Sequence, residues 1–200
     1  MRVAGRPVGP GHAPYRLGAI GDSHGGDVQL GYTLVETAGA AGAEGVVLQR
    51  GALSERDFKC VLGHAGHVGV ASLGVPRDEE DLALLDAMDV SALRLPDADT
   101  RPATLLDGVA QTRRPLILSL WDTEVGVARS VIEACRRARA GSIALLAPDP
   151  RMMRVWADAL TGVPVGLLAD RPTAAGAHAA GACLIETEYR LSNRPRRNRP

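Results

Sequence analysis

Gly45-Val46-Val47-Leu48-Gln49, then Ser54 to Ala65, then Val68-Gly69-Val70-Ala71-Ser72, then Asp78 to Met88, then Ala92-Leu93-Arg94-Leu95: the architecture is clearest in these residues. Short apolar runs alternate in it with longer segments whose apolar residues recur every three to four positions. A run with apolar residues on both faces suits a strand buried on both sides, as in a parallel sheet covered by helices. The alternation continues outward in both directions. Leu17–Ile20, Pro115–Leu120, Ser142–Ala147, Val163–Leu168 and Cys183–Glu186 read as further strands. Val28–Ala41, Pro102–Thr112, Glu124–Arg139, Pro150–Leu160 and Ala174–Ala180 read as further helices. Ser54 ahead of Asp57 suits a helix cap, and Asp149-Pro150 puts proline at a first helical position.

Eight strands alternating with seven helices predict an α/β protein with right-handed crossovers. Eight parallel strands favour closure into a compact (β/α)8 TIM-type barrel over an open doubly wound sheet. The loops must be short in 200 residues, and no clear eighth outer helix follows Glu186. Gly21-Asp22-Ser23-His24-Gly25-Gly26 lacks the spacing of a dinucleotide-binding turn. Residues 1–15 read as an irregular Gly- and Pro-rich lead-in, residues 16–191 as the barrel, and residues 192–200 as a basic disordered tail.

Composition bounds the function. The chain has 23 basic and 23 acidic residues, so it carries no general attraction for nucleic acid or an acidic membrane. Aromatic content of 3% argues against a base-stacking platform. No apolar run reaches membrane-spanning length and the N-terminus lacks a signal-peptide pattern, so a cytoplasmic location is expected. Cys60, Cys135 and Cys183 are far apart, without metal-ligand spacing, and read as buried structural thiols. Lys59 is the only lysine and lies within a helix, away from strand ends, which disfavours Schiff-base chemistry.

Barrel chemistry sits on loops at the C-terminal ends of the strands. Those ends carry Asp22 and His24, Gln49 and Arg50, Ser72, Arg77 and Asp78, then Arg94, Asp97 and Asp99. Further on come Ser119, Trp121 and Asp122, Asp149 and Arg151, Asp170 and Arg171, and finally Glu186 and Glu188. Acids and arginines gathered at one mouth suit a small anionic or polyhydroxylated ligand.

The order of short motifs resembles the N-acetylneuraminate (sialic acid) synthase family. Ala19-Ile20-Gly21-Asp22-Ser23-His24-Gly25-Gly26 is similar to that family's opening E-I-G-x-N-H-x-G. Ala41-Gly42-Ala43-Glu44-Gly45-Val46-Val47-Leu48-Gln49 is similar to A-G-A-D-A-V-K-F-Q. Arg114–Ser119, Gly162–Gly166 and Gly181–Glu186 resemble K-P-V-I-L-S, G-V-P-V-G and G-A-x-x-I-E. The resemblance runs in order from about residue 16 to residue 194 and implies a (β/α)8 barrel. It also implies condensation of phosphoenolpyruvate with a sugar aldehyde, using a divalent metal that polarises the aldehyde.

Matched position by position, His24, Gln49, Ser119 and Glu186 keep the family's residue, Arg94 replaces a lysine, and Asp99 matches an acidic position. Ala19 stands for a glutamate, Ser23 for an asparagine and Val47 for a phosphate-holding lysine. The metal histidines correspond to Ala147 and to Asp170 or Arg171, while Thr187 and Glu188 replace a lysine and a histidine. The long loop after the second strand is trimmed, and the antifreeze-like domain that follows the family's barrel has no counterpart in these residues. Losing one well-placed transition-state donor costs about 2.7–4 kcal/mol. Three or four such losses would remove on the order of four powers of ten in rate.

The resemblance and the losses together predict a diverged protein acting on or binding a small keto acid or sugar-derived ligand. His24, Asp22, Glu186 and Glu188 are its candidate acid–base groups. Gln49, Arg50, Arg94, Asp97, Asp99, Ser119 and Arg171 are candidate ligand contacts, and Asp170 is a candidate metal ligand in place of the lost histidines. Two alternatives stand beside this reading: a non-catalytic or partner-binding barrel, with the mouth plugged by Trp121 or Leu120, and a genuine synthase. The cofactor is left open. A homodimer or protein partner is expected, because the missing eighth helix would leave the outer face of the last strand bare.

Overall fold

Val46 and Leu48 pack toward the helices, whereas Val47 packs into the interior with Leu17, Leu73, Ile117, Leu146 and Leu184. This division into two apolar layers follows from the pleat, which sends successive side chains to opposite faces. The computed structural model describes residues 1–138, 140–169 and 181–189. Its eight parallel strands are β3 (Tyr15–Gly21), β4 (Gly45–Leu48), β5 (Ala71–Gly74), β6 (Ala92–Leu95), β7 (Leu116–Leu118), β8 (Ile143–Ala147), β9 (Val165–Ala169) and β10 (Leu184–Glu188). They close as a barrel, with β10 pairing β9 on one side and β3 on the other, in register from Leu184↔Tyr15 to Glu188↔Ala19. The TIM-type expectation holds.

Between the strands lie α1 (Val28–Ala40), α2 (Glu55–Val68), α3 (Glu79–Ala87), α4 (Ala103–Gln111), α5 (Val125–Arg137) and α6 (Pro150–Ala159). Four begin on side-chain caps. Asp27 accepts from the amides of Gln29 and Leu30, Ser54 from Asp57, Asp78 from Asp81, and Asp149 from Met152. Each cap satisfies amides that have no intrahelical partner, so the helix starts where its loop ends. Pro150 occupies the first turn of α6 as expected.

Several expectations need correction. The third barrel strand is Ala71–Gly74 and not Val68–Ser72, because α2 runs on to Val68 and stops at Gly69, which is left-handed at φ 81°. Ser72 is therefore inside a strand and not at its end. Cys60 is exposed, while Cys135 and Cys183 are buried as expected. The lead-in contains a hairpin, β1 (Arg2–Val3) paired with β2 (Arg6–Pro7). Ala4 and Gly5 both take positive φ, which matches the twist of a two-residue hairpin turn. Val3 and Val8 are buried among Tyr15, Leu17 and Leu184, so the hairpin stops the end of the barrel where the strands begin.

The outward side chains of β10, Ile185 and Thr187, and that of Tyr189 just after it, are buried within the single chain. The bare face that motivated a second subunit is not found among the described residues. Among those residues, no helix is long and apolar enough to cross a membrane. The expected helix Ala174–Ala180 and the tail at 192–200 lie outside the described residues.

Candidate functional site at the barrel mouth

Arg94 lies near the C-terminal end of β6 and is 4% exposed. In the ring of strands β6 is four places from β10, which is the opposite wall of the barrel. Across that interior Arg94 Nε donates to Glu186 Oε2 at 2.8 Å, and Nη2 donates to Glu186 Oε1 at 3.1 Å. Nη2 also donates to Ser119 Oγ, just beyond β7, at 3.1 Å. The pair is bidentate, which favours arginine over the family's lysine at this position. Arg94 Nη1 is buried and has no hydrogen-bond partner. An unmet buried donor costs about 1–3 kcal/mol, more when charged. The three side chains come from β6, β10 and the loop just after β7, and sequence spacing alone does not bring them together.

His24 is 1% exposed, and both its ring nitrogens meet backbone. Nδ1 accepts from the Gly26 amide at 3.2 Å, which makes Nε2 the protonated nitrogen donating to Gln49 O at 2.9 Å. Here His24 staples the loop after β3 to the end of β4. Gln49 thus joins His24 through its carbonyl, and its amide donates to Gly21 O at 3.0 Å. Asp22 is exposed on the same turn, its carbonyl accepting from Gly25 at 2.9 Å.

Asp99 accepts from the amides of Trp121 at 2.7 Å and Asp122 at 2.8 Å, pinning the loop after β7 to the loop after β6. Trp121 is 77% exposed, so it does not plug the mouth, while Leu120 is buried. Asp97 begins the short 3-10 turn Ala98–Thr100 in a left-handed conformation, without a side-chain cap bond. Glu188 is exposed at the end of β10. Asp170 and Arg171 lie outside the described residues.

Arg50 belongs to a second group, with one member that sequence reading passed over. Asp81, 2% exposed in the first turn of α3, accepts from Arg77 Nε at 2.7 Å, and Arg50 Nε stands 3.0 Å from its other oxygen. That second contact is an ion pair outside hydrogen-bond geometry, since Asp81 Oδ1 has no hydrogen-bond partner. Arg50 Nη1 also meets Glu80 at 3.1 Å. Two arginines at successive strand ends, Arg50 and Arg77, were the available hint that a shared acid sits between them.

Among the described residues no group of three histidine, cysteine or acidic side chains could hold a metal ion. Ala147 offers no donor atom and packs in the layer against the helices. The described residues therefore do not fit the divalent metal that the family resemblance implies.

The profile of the NeuB family matches residues 30–149. The spore coat polysaccharide biosynthesis protein spsE of Bacillus subtilis superposes with a TM-score of 0.87 at 22% identity, over 99% of this chain and 66% of that one. The N-acetylneuraminic acid (sialic acid) synthetase of Leptospira borgpetersenii serovar Hardjo-bovis superposes at 0.85 with 17% identity, over 96% of this chain and 78% of that one. An uncharacterized protein of Methanocaldococcus jannaschii is 26% identical over 145 residues, 63% of this chain and 43% of its own length. The chain thus spans less than half of that curated relative.

Proposed function

Given that the chain belongs to the NeuB family, we propose that its barrel mouth binds a small keto acid or sugar-derived ligand, with the condensation of phosphoenolpyruvate and a sugar aldehyde impaired. The observation that carries this reading is Arg94 Nη1, a buried donor without a partner, held in place beside Ser119 and Glu186. A ligand oxygen would satisfy it. Impairment is supported by the residues around it. Val47 is buried and apolar where the family has a lysine, and His24 and Asp99 commit their polar atoms to backbone. The same commitment of His24 and Asp99 favours the second reading, a barrel that binds without catalysing.

Incubation with phosphoenolpyruvate, N-acetylmannosamine and manganese, followed by phosphate release, tests the impairment. No turnover above background is expected, and turnover of about 1 per second or faster, ordinary for an enzyme, would overturn it. Thermal shift with keto acids and amino sugars tests the binding, since a ligand that binds the native state raises its melting point. A shift that disappears in the Arg94→Met/Glu186→Leu double variant is expected; no shift with any of these compounds overturns the binding reading. The double change is chosen because replacing both members of a buried ion pair with apolar residues is generally tolerated, whereas removing one is not.

A further inference from the structure

We propose that Glu186 serves as a built-in anion that occupies Arg94, so that of the two ligand classes named above the mouth rejects the keto acid, along with phosphorylated ligands, and selects an uncharged sugar-derived one bearing hydroxyl or carbonyl oxygens. The choice of ligand class rests on the binding reading above; the rejection of anions does not. Arg94 is the only buried basic side chain among the described residues apart from His24, and two of its three nitrogens are already taken by the Glu186 carboxylate. An anion placed at Nη1 would share the guanidinium with that carboxylate, and like charges held on one cation in a desolvated interior repel. A neutral oxygen at Nη1 meets no such repulsion and satisfies the open donor.

The rim repeats the pattern. Arg50 is matched by Glu80 and Asp81, and Arg77 by Asp81. Arg50, Arg77 and Arg94, all near strand ends where an anionic ligand was expected, are each met by a carboxylate of the same chain. Charge compensation across a mouth of this kind gives specificity through the ligand it repels as much as the one it attracts.

The test titrates inorganic phosphate at constant ionic strength, followed by calorimetry and melting point, into the wild type, Glu186→Gln and the Arg94→Met/Glu186→Leu double variant. Glu186→Gln keeps the shape and removes the charge. The wild type is expected to show no phosphate binding that depends on Arg94. Glu186→Gln is expected to melt lower and to gain phosphate affinity at least tenfold over the wild type. Arg94-dependent phosphate binding by the wild type, or a folded Glu186→Gln protein without the gain, overturns the proposal. The comparison of wild type with the double variant decides alone if Glu186→Gln does not fold. If keto acids and amino sugars all fail to bind while Glu186→Gln gains phosphate, the binding reading falls and the built-in anion stands.

Discussion

Tyr15 opens β3 with its ring buried and its hydroxyl donating to Glu44 O at 3.2 Å. Burial pushes its phenol up to about 12 from 10.0, against an opposing pull from Arg6. A phenol that binds its proton more tightly in the folded chain contributes stability that is fully present below pH 10. That stability is lost as pH rises from about 10 to about 12, up to roughly 2–3 kcal/mol. Burial raises the Cys135 and Cys183 thiols as well, so the wild type is expected to weaken above pH 9. Tyr15→Phe should flatten the part above pH 10, measured by melting point against pH; an unchanged slope there would remove Tyr15 from the explanation. Asp99 offers a second test at this scale. Asp99→Ala deprives two loop amides of their acceptor and should cost roughly 1–3 kcal/mol in denaturant unfolding. A loss below a few tenths would mean that the loop finds other partners.

Among the elements, α2 and β9 respond to the same substitution in opposite directions. Gly63 lies within α2, exposed, and a methyl group added there would meet nothing within 4 Å. Gly63→Ala should therefore stabilise by about 0.5–1 kcal/mol, because glycine loses more backbone entropy in a helix. Gly166 in β9 is the contrary case, since a Cβ there would stand 2.5 Å from the carbonyl oxygen of Leu184 in β10. Backbone cannot swing aside as a side chain can, so Gly166→Ala should destabilise by roughly 1–3 kcal/mol. Urea unfolding of both variants checks the pair, and a neutral Gly166→Ala would show that the two strands can separate. Helix starts were legible in sequence at α2 and α6, because Ser54 and Asp149-Pro150 carry local capping chemistry. The end of α2 was not, because Val68-Gly69-Val70 reads equally well as strand when the left-handed turn at Gly69 is unseen.

For the molecule as a whole, the barrel is stoppered at one end by apolar hairpin residues and crossed near the other by an ion pair. Val3, fully buried, joins the hairpin to the interior layer. Val3→Asp should cost on the order of 3–5 kcal/mol, the penalty of an unpaired buried charge. Val155→Asp, at a 40% exposed site, should be nearly neutral in the same unfolding experiment. Equal effects would mean that the hairpin does not close the barrel.

The barrel was legible from the chain alone, because strands buried on both faces and helices buried on one leave different apolar periods along it. The sequence also marked Arg94, Ser119 and Glu186 as polar residues at strand ends. That they meet is a consequence of the closed ring. Arg94 and Glu186 are 92 residues apart, and closure of the barrel is what sets β6 opposite β10 and brings one side chain within 2.8 Å of the other. His24 shows the same division: its place in a loop motif was readable and its bond from the Gly26 amide is local, but its bond to Gln49 O depends on how β3 and β4 pair. Periodicity is a local property and survives in the sequence. A contact between opposite walls depends on the path of every strand between them, and exists only once the ring has closed.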